Sequence, residues 1–402
     1  EFDEDDSSNP YHSSDGEWTT DRYLQVWDVS GQMSGSNSAV WGSMASSPVN
    51  GNLYASWSEY SNSNSYFAIG GGGRTQIFHK YDPPEYTDIA LNSAGSPNIV
   101  YLANFYGGGS WAGGGSGGLY MSVGGTSAQY IIDRFRYDQE LYQFKCPRIA
   151  VRGSGGSAYS HIAYYDNHSR ALKYSRFRGT TNQIGYSSAD SNIIAGTQAQ
   201  DSTDVGAHND IALDSAGRPV IAYYDTGNST LRVTRASSAT PAAGSASWHD
   251  QAVLPDNSYV GQYVSIRVDS SNRIHIIAYK ISTGDLLYFS APEPPTVNDD
   301  YVFDISGQEV DVDGNMGAYA SMDLWGDVPV VGYVDSSNAG TFRGLKFAVL
   351  EGTVWEHGTV PLLSTVKAEP VAAAGNNSGS AAYSFGLGYH SGNYRYTRVR
   401  PE

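Results

Sequence analysis

An internal repeat constrains this chain more than any other feature. Its clearest copy runs Ile211-Ala-Leu-Asp-Ser-Ala-Gly-Arg-Pro-Val-Ile-Ala-Tyr-Tyr-Asp225, then Leu231-Arg-Val-Thr-Arg235. Related copies start at Ile89, Ile149, Ile266 and Met322, and weaker ones at Met44 and Val371. One aromatic residue in the second run indexes the series: Trp57, Tyr101, Tyr164, Tyr223, Tyr279, Tyr333 and Tyr389. The copies lie 44 to 63 residues apart, so similar units are joined by loops of variable length.

Each unit reads as four short strands. The first is a small apolar run such as Ile211-Ala-Leu213, closed by the turn Asp214-Ser-Ala-Gly217, whose Gly suits positive φ. The second, Val220 to Tyr224, is rich in β-branched and aromatic residues. The third, Leu231 to Thr234, alternates with period two, and a more variable fourth follows, such as Trp248 to Val253. No segment carries sustained helical periodicity with caps. Seven such units predict an all-β chain, a seven-bladed β-propeller of four-stranded antiparallel blades over 21–402. An acidic N-terminal extension, 1–20, precedes it. The last unit lacks a fourth strand, whereas a spare strand, Tyr23 to Val29, precedes the first unit. Its resemblance to Tyr301-Val-Phe-Asp-Ile305 predicts that this N-terminal strand completes the last blade and closes the ring.

These units resemble, in general form only, secreted bacterial propeller repeats of the Asp-box and sialidase-like kind. The resemblance rests on the Asp-Ser-Ala-Gly turns and on the strands with a small residue before the aromatic. It implies an architecture and no activity. The strict box, Ser-x-Asp-x-Gly-x-Thr-Trp, is absent as a full match, and no arginine triad for a carboxylate can be assigned.

Composition narrows the partners. The net charge is −17, which repels phosphate backbones and argues against nucleic acid. No run is long and apolar enough for a transmembrane helix. The single cysteine, Cys146, excludes an internal disulfide framework and cysteine-rich metal sites, and reads as a small buried hydrophobe. Plentiful Gly, Ser, Asn and Tyr with scarce Lys suggest an extracellular or cell-surface protein.

Candidate site residues follow from propeller geometry, in which the start of strand one and the end of strand two share a face. Glu59, Asp166, Asp225, Lys280, Asp335 and His390 follow strand two; Asp88, His208, Asn209, Asp210 and Gln262 are read as preceding strand one. A Gly-rich loop over 104–118 carries Phe105, Tyr106 and Trp111, whose rings could stack on sugars or anchor a protein. The ligand-binding candidates are therefore Phe105, Tyr106, Trp111, Asp166, His208, Asp225, Asp335 and His390. Asp311, Asp313 and Asn315 form a fragment of a calcium loop without the closing bidentate Glu, so calcium is the one metal considered. The function expected is non-enzymatic binding of a glycan or a surface protein. One alternative is a structural subunit of an extracellular homo- or hetero-assembly or filament. Another is a polysaccharide lyase using His208 with Tyr224 and Arg152 or Arg232.

Overall fold

The computed structural model describes residues 25–32, 39–59, 64–69, 75–79, 86–103, 118–134, 144–184, 192–195, 204–312, 314–337, 344–360, 372–375, 385–390 and 394–400. Among the described residues the fold is all-β, with two short 3-10 turns, and the strands form four-stranded antiparallel sheets.

Sheet A comprises Ala39–Ser46, Leu53–Glu59, Asn64–Ile69 and Thr75–His79. Sheet B comprises Thr87–Leu91, Pro97–Ala103, Gly118–Val123 and Tyr130–Arg134. Sheet C comprises Phe144–Arg152, Tyr159–Asp166, Ala171–Arg178 and Thr181–Ile184, with Ile193–Ala195 also on its third strand. Sheet D comprises Val205–Leu213, Pro219–Asp225, Thr230–Ala236 and Trp248–Ala252. Sheet E comprises Val260–Val268, Ile274–Lys280, Asp285–Ala291 and Ile305–Asp311. Sheet F comprises Met316–Trp325, Val328–Asp335, Leu345–Glu351 and Val354–Val360. Sheet G comprises Ala372–Gly375, Phe385–His390 and Tyr394–Arg400, with Gln25–Gln32 antiparallel to its third strand.

First strands of successive sheets touch in order from A to G, and the first strand of G also touches that of A. The apolar cores lie between neighbouring sheets. Val220, Ala222 and Val233 of sheet D pack with Ile266, Ile276 and Phe289 of sheet E, for example. Each fully buried Val, Ile or Phe side chain among them contributes about 1.5–3 kcal/mol. The index aromatics Trp57, Tyr101, Tyr164, Tyr223, Tyr279 and Tyr333 are all buried.

Two polar devices join the sheets. The Asp-Ser-Ala-Gly turns close locally, as Arg218 N donates to Asp214 Oδ1 at 2.8 Å and Gly217 takes φ +81°. They also reach the next turn. Ser93 N donates to Gly153 O at 3.0 Å, Ser215 N to Asn272 Oδ1 at 2.8 Å, and Ser270 N to Asp327 Oδ1 at 2.9 Å. The second device buries charge. Asp133 of sheet B accepts from Tyr164 Oη at 2.8 Å and lies 3.5 Å from Lys173 Nζ, which sits 2.6 Å from Asp166. The same triplet recurs between sheets E and F. There Asp311 accepts from Tyr333 Oη at 2.7 Å and from Lys346 Nζ at 3.0 Å.

Among the described residues, no helix is long and apolar enough to cross a membrane.

Candidate functional site: the mouth of the central cavity

The first strands of sheets A to F surround a cavity of about 530 Å³. Two sequence positions per strand define its wall. At the first position stand Ser43, Asp88, Arg148, Asp210, Ser265 and Ser321, each just before the apolar run. Two residues earlier stand Tyr86, Cys146, His208, Tyr263 and Tyr319, which also line the cavity.

In sheets C to F the earlier position exists because the first strands bulge there, whereas Tyr86 directly precedes the unbulged first strand of sheet B. Pairing with the second strand shifts between Lys145 and Arg148, Val205 and Asn209, Gln262 and Ser265, and Ala318 and Ser321. A bulge re-aims one side chain out of the pleat. Tyr86, Cys146, Tyr263 and Tyr319 sit at φ +59°, +47°, +50° and +62°, a left-handed region that ordinary residues avoid. In sheets D, E and F a glycine opens the bulge, in the patterns Gly206-Ala-His208, Gly261-Gln-Tyr263 and Gly317-Ala-Tyr319. Gly261 at φ +135° would place a Cβ 2.6 Å from Tyr224 Cδ2, and Gly317 at φ +95° would place one 2.6 Å from Leu286 Cβ. Only glycine admits this path.

The bulged side chains meet. The His208 and Tyr263 rings lie 4.9 Å apart edge to face, those of Tyr263 and Tyr319 4.5 Å apart, and those of Tyr263 and Tyr279 5.8 Å apart. Tyr279 Oη donates to Asn315 Oδ1 at 2.8 Å. Burial, aided by the nearby Arg148 charge, pushes His208 down to about 4, so its imidazole is neutral at physiological pH. Burial likewise raises the Tyr263 hydroxyl, and the adjacent Tyr319 adds to the effect.

Below the rings runs a hydrogen-bonded belt. Asp88 accepts from Ser43 Oγ at 2.5 Å and from Ile149 N at 2.8 Å. Arg148 Nε donates to Asn209 O at 3.4 Å, and Asn209 Nδ2 donates to Cys146 O at 3.1 Å. Asp210 Oδ2 accepts from Ser265 Oγ at 2.8 Å, Ile266 N at 3.0 Å and Arg267 Nη1 at 2.8 Å. Arg267 Nε donates to Asp323 Oδ1 at 3.0 Å, and Met322 N donates to Ser265 Oγ at 3.3 Å. Burial disfavours charge on Arg267, but Asp210 and Asp323 outweigh it and hold the guanidinium protonated. Burial raises the Asp88 carboxyl above its ordinary range despite Arg148 and its two donors.

The sequence-derived candidates divide. His208 lies in the cavity wall. It belongs to the first strand of sheet D rather than to a loop before it, and the same holds for Asp88, Asn209, Asp210 and Gln262 in their strands. In sheets D and E the bulges extend these strands upstream of the apolar runs that marked them in the sequence. Asp166 is buried against Lys173 and accepts from His168 N at 2.9 Å. Asp225 accepts from Asn228 N at 3.0 Å and Asn228 Nδ2 at 2.8 Å, and Asp335 accepts from Ser337 N at 2.9 Å. These three aspartates shape the turns that follow strand two. His390 ends the second strand of sheet G. Phe105, Tyr106, Trp111 and Asp313 lie outside the described residues.

Asp311 Oδ2 accepts from Tyr333 and Lys346, and Asn315 Oδ1 from Tyr279. Among the described residues no three His, Cys, Asp or Glu side chains group as metal ligands. The lyase roles first considered do not converge. Arg152 packs over Gly217 in the turn between the first two strands of sheet D, and Arg232 pairs with Asp250 at 2.5 Å. Arg148 and Arg267 are the arginines that line the cavity with His208.

No protein-family model and no curated protein sequence matches the chain. Solved structures do. A polysaccharide lyase, an ulvan lyase bound to a GlcA(1-4)Rha3S saccharide, aligns with TM-score 0.54 and 10% identity over 92% of this chain and 95% of that one. Virginiamycin B lyase from Staphylococcus aureus aligns with TM-score 0.49 and 9% identity over 94% and 98%. A triple-arginine variant of AofleA from Arthrobotrys oligospora aligns with TM-score 0.47 and 10% identity over 92% and 85%. At such identities the likeness is one of fold: a propeller-like, sialidase-like arrangement of four-stranded antiparallel sheets.

Proposed function

We propose that the chain is a carbohydrate-binding protein whose ligand enters the mouth of the central cavity. The observation that carries this reading is the repeated bulge that turns His208, Tyr263 and Tyr319 together above the polar belt. Aromatic rings beside hydrogen-bonding groups suit a sugar, which has apolar C–H faces and hydroxyl edges. We further read sheets A to G as the seven blades of one closed ring over 21–402. The contact between the first strands of G and A supports this, as does the pairing of Gln25–Gln32 with Tyr394–Arg400. The ring is taken to work outside the cell or on its surface, and the fold likeness to an ulvan lyase is compatible with a carbohydrate ligand. A glycan-array screen of the intact chain tests the binding reading. Selective binding that Tyr319→Ala abolishes supports it, and a blank array on folded protein removes it.

A lyase is the second reading, because Arg148, His208 and Tyr263 line one cavity and offer a cation, a neutral imidazole and a phenol. Its product would be an unsaturated uronate, visible by ultraviolet absorbance. A flat trace across a panel of polyuronates would dismiss it. A role as a filament subunit would instead appear as concentration-dependent mass in light scattering.

A further inference from the structure

We propose that the cavity selects a neutral sugar through a vicinal diol, and discriminates against uronates and amino sugars; this rests on the carbohydrate-binding reading. Along the wall from sheet B to sheet F the sign of charge alternates. Sheets B, D and F contribute Asp88, Asp210 and Asp323, while C and E contribute Arg148 and Arg267. Each arginine therefore stands between two carboxylates. Arg267 bonds both of its neighbours, at 2.8 Å to Asp210 and 3.0 Å to Asp323. Arg148 is less engaged: among the described residues its guanidinium makes one hydrogen bond, to Asn209 O, and lies 4.0 Å from Asp88.

The consequence for a ligand is chemical. A uronate carboxylate reaching for Arg148 must approach Asp88 and Asp210 on either side, so its attraction is offset by like charge. An ammonium reaching for a carboxylate meets the guanidinium beside it in the same way. A hydroxyl suffers neither penalty, because it both donates and accepts. Two adjacent hydroxyls can span one step of the wall. One donates to the Asp88 carboxylate while the other accepts from the Arg148 guanidinium. Above the belt, Tyr263 and Tyr319 offer aromatic surface to the C–H face of the same ring.

The experiment is a calorimetric panel on the intact chain. It uses methyl glycosides of common neutral hexoses and deoxyhexoses, each with its uronate and amino counterpart and a derivative lacking one hydroxyl of the diol. The expected result is that at least one neutral glycoside binds and its charged counterparts bind about tenfold or more weakly. Its affinity should barely change with ionic strength, and removing one hydroxyl of the pair should abolish it. Arg148→Lys, which keeps the charge but loses the planar fork, should weaken the neutral ligand in folded protein. Preferential binding of uronates or amino sugars with steep salt dependence would overturn the diol inference and leave the carbohydrate reading standing. Absence of binding by every member of the panel would overturn both.

Discussion

Replacing Lys173 with methionine perturbs the joint between sheets B and C without changing side-chain bulk. The lysine is 1% exposed, 2.6 Å from Asp166 and 3.5 Å from Asp133, both of them buried. Removing the cation leaves two carboxylates in the interior without the charge that offsets their desolvation. Breaking a buried pair from one side costs about 3–5 kcal/mol. The deficit should depend on pH. Burial already raises the Asp133 carboxyl, and Lys173 is the strongest influence opposing that rise. In the variant the folded-state pKa therefore rises further above the unfolded value. A carboxyl raised in the folded state binds its proton there first, so its penalty grows as pH climbs through the folded pKa and fades below it. The gap between variant and parent should then be smaller at about pH 5 than at about pH 8. Guanidinium unfolding at both pH values measures it. A loss below about 1 kcal/mol at the higher pH, the range of an exposed pair, would refute the reasoning.

Three further outcomes follow from the same geometry. Gly261→Ala forces a Cβ against Tyr224 at a φ that L residues avoid, so a loss of about 1–3 kcal/mol in denaturant unfolding is expected together with loss of ligand binding. Asn272 accepts from Ser215 N and sits at φ +65°, so Asn272→Ala should cost more than Asn272→Gly, by about 1 kcal/mol, in the same assay. His208 is pushed down to about 4 in the fold against 6.5 when free, so the unfolded chain takes up that proton first as pH falls. Stability should decline across that window, and His208→Gln should flatten the decline in pH-dependent thermal melts.

Much of this was legible in the sequence. The index aromatics marked the second strands, the Asp-Ser-Ala-Gly turns marked the hairpins, and the four-stranded antiparallel sheets followed from both. The cavity wall was less legible, for two physical reasons. Left-handed Tyr86, Cys146, Tyr263 and Tyr319 contradict their residues' own backbone preferences, so their identities alone do not flag them. The first strands were consequently read from their apolar runs alone, which placed His208 and Asp210 in a loop. The Gly-x-aromatic pattern at Gly206, Gly261 and Gly317 was the available signal, since an unexpected glycine at a strand start marks a bulge. The charged belt is written one residue per repeat, and its alternation emerges only when neighbouring strands are laid side by side. Asp166, Asp225 and Asp335 were read as mouth carboxylates because they follow strand two, on the face shared with the start of strand one. In the structure each accepts from a backbone N–H of the turn that follows, where a short acceptor suits the turn.

The central claim is that a saccharide sits against the bulged aromatics of the cavity mouth. Calorimetric titration of the best array ligand into the parent protein and into Tyr263→Ala tests it most directly, with Val302→Ser, a change at an exposed site, as control. The account predicts that Tyr263→Ala weakens binding about tenfold or more, near 1.4 kcal/mol, while the control binds like the parent. Equal affinity in all three proteins, with Tyr263→Ala folded, would contradict it and place the ligand elsewhere on the chain.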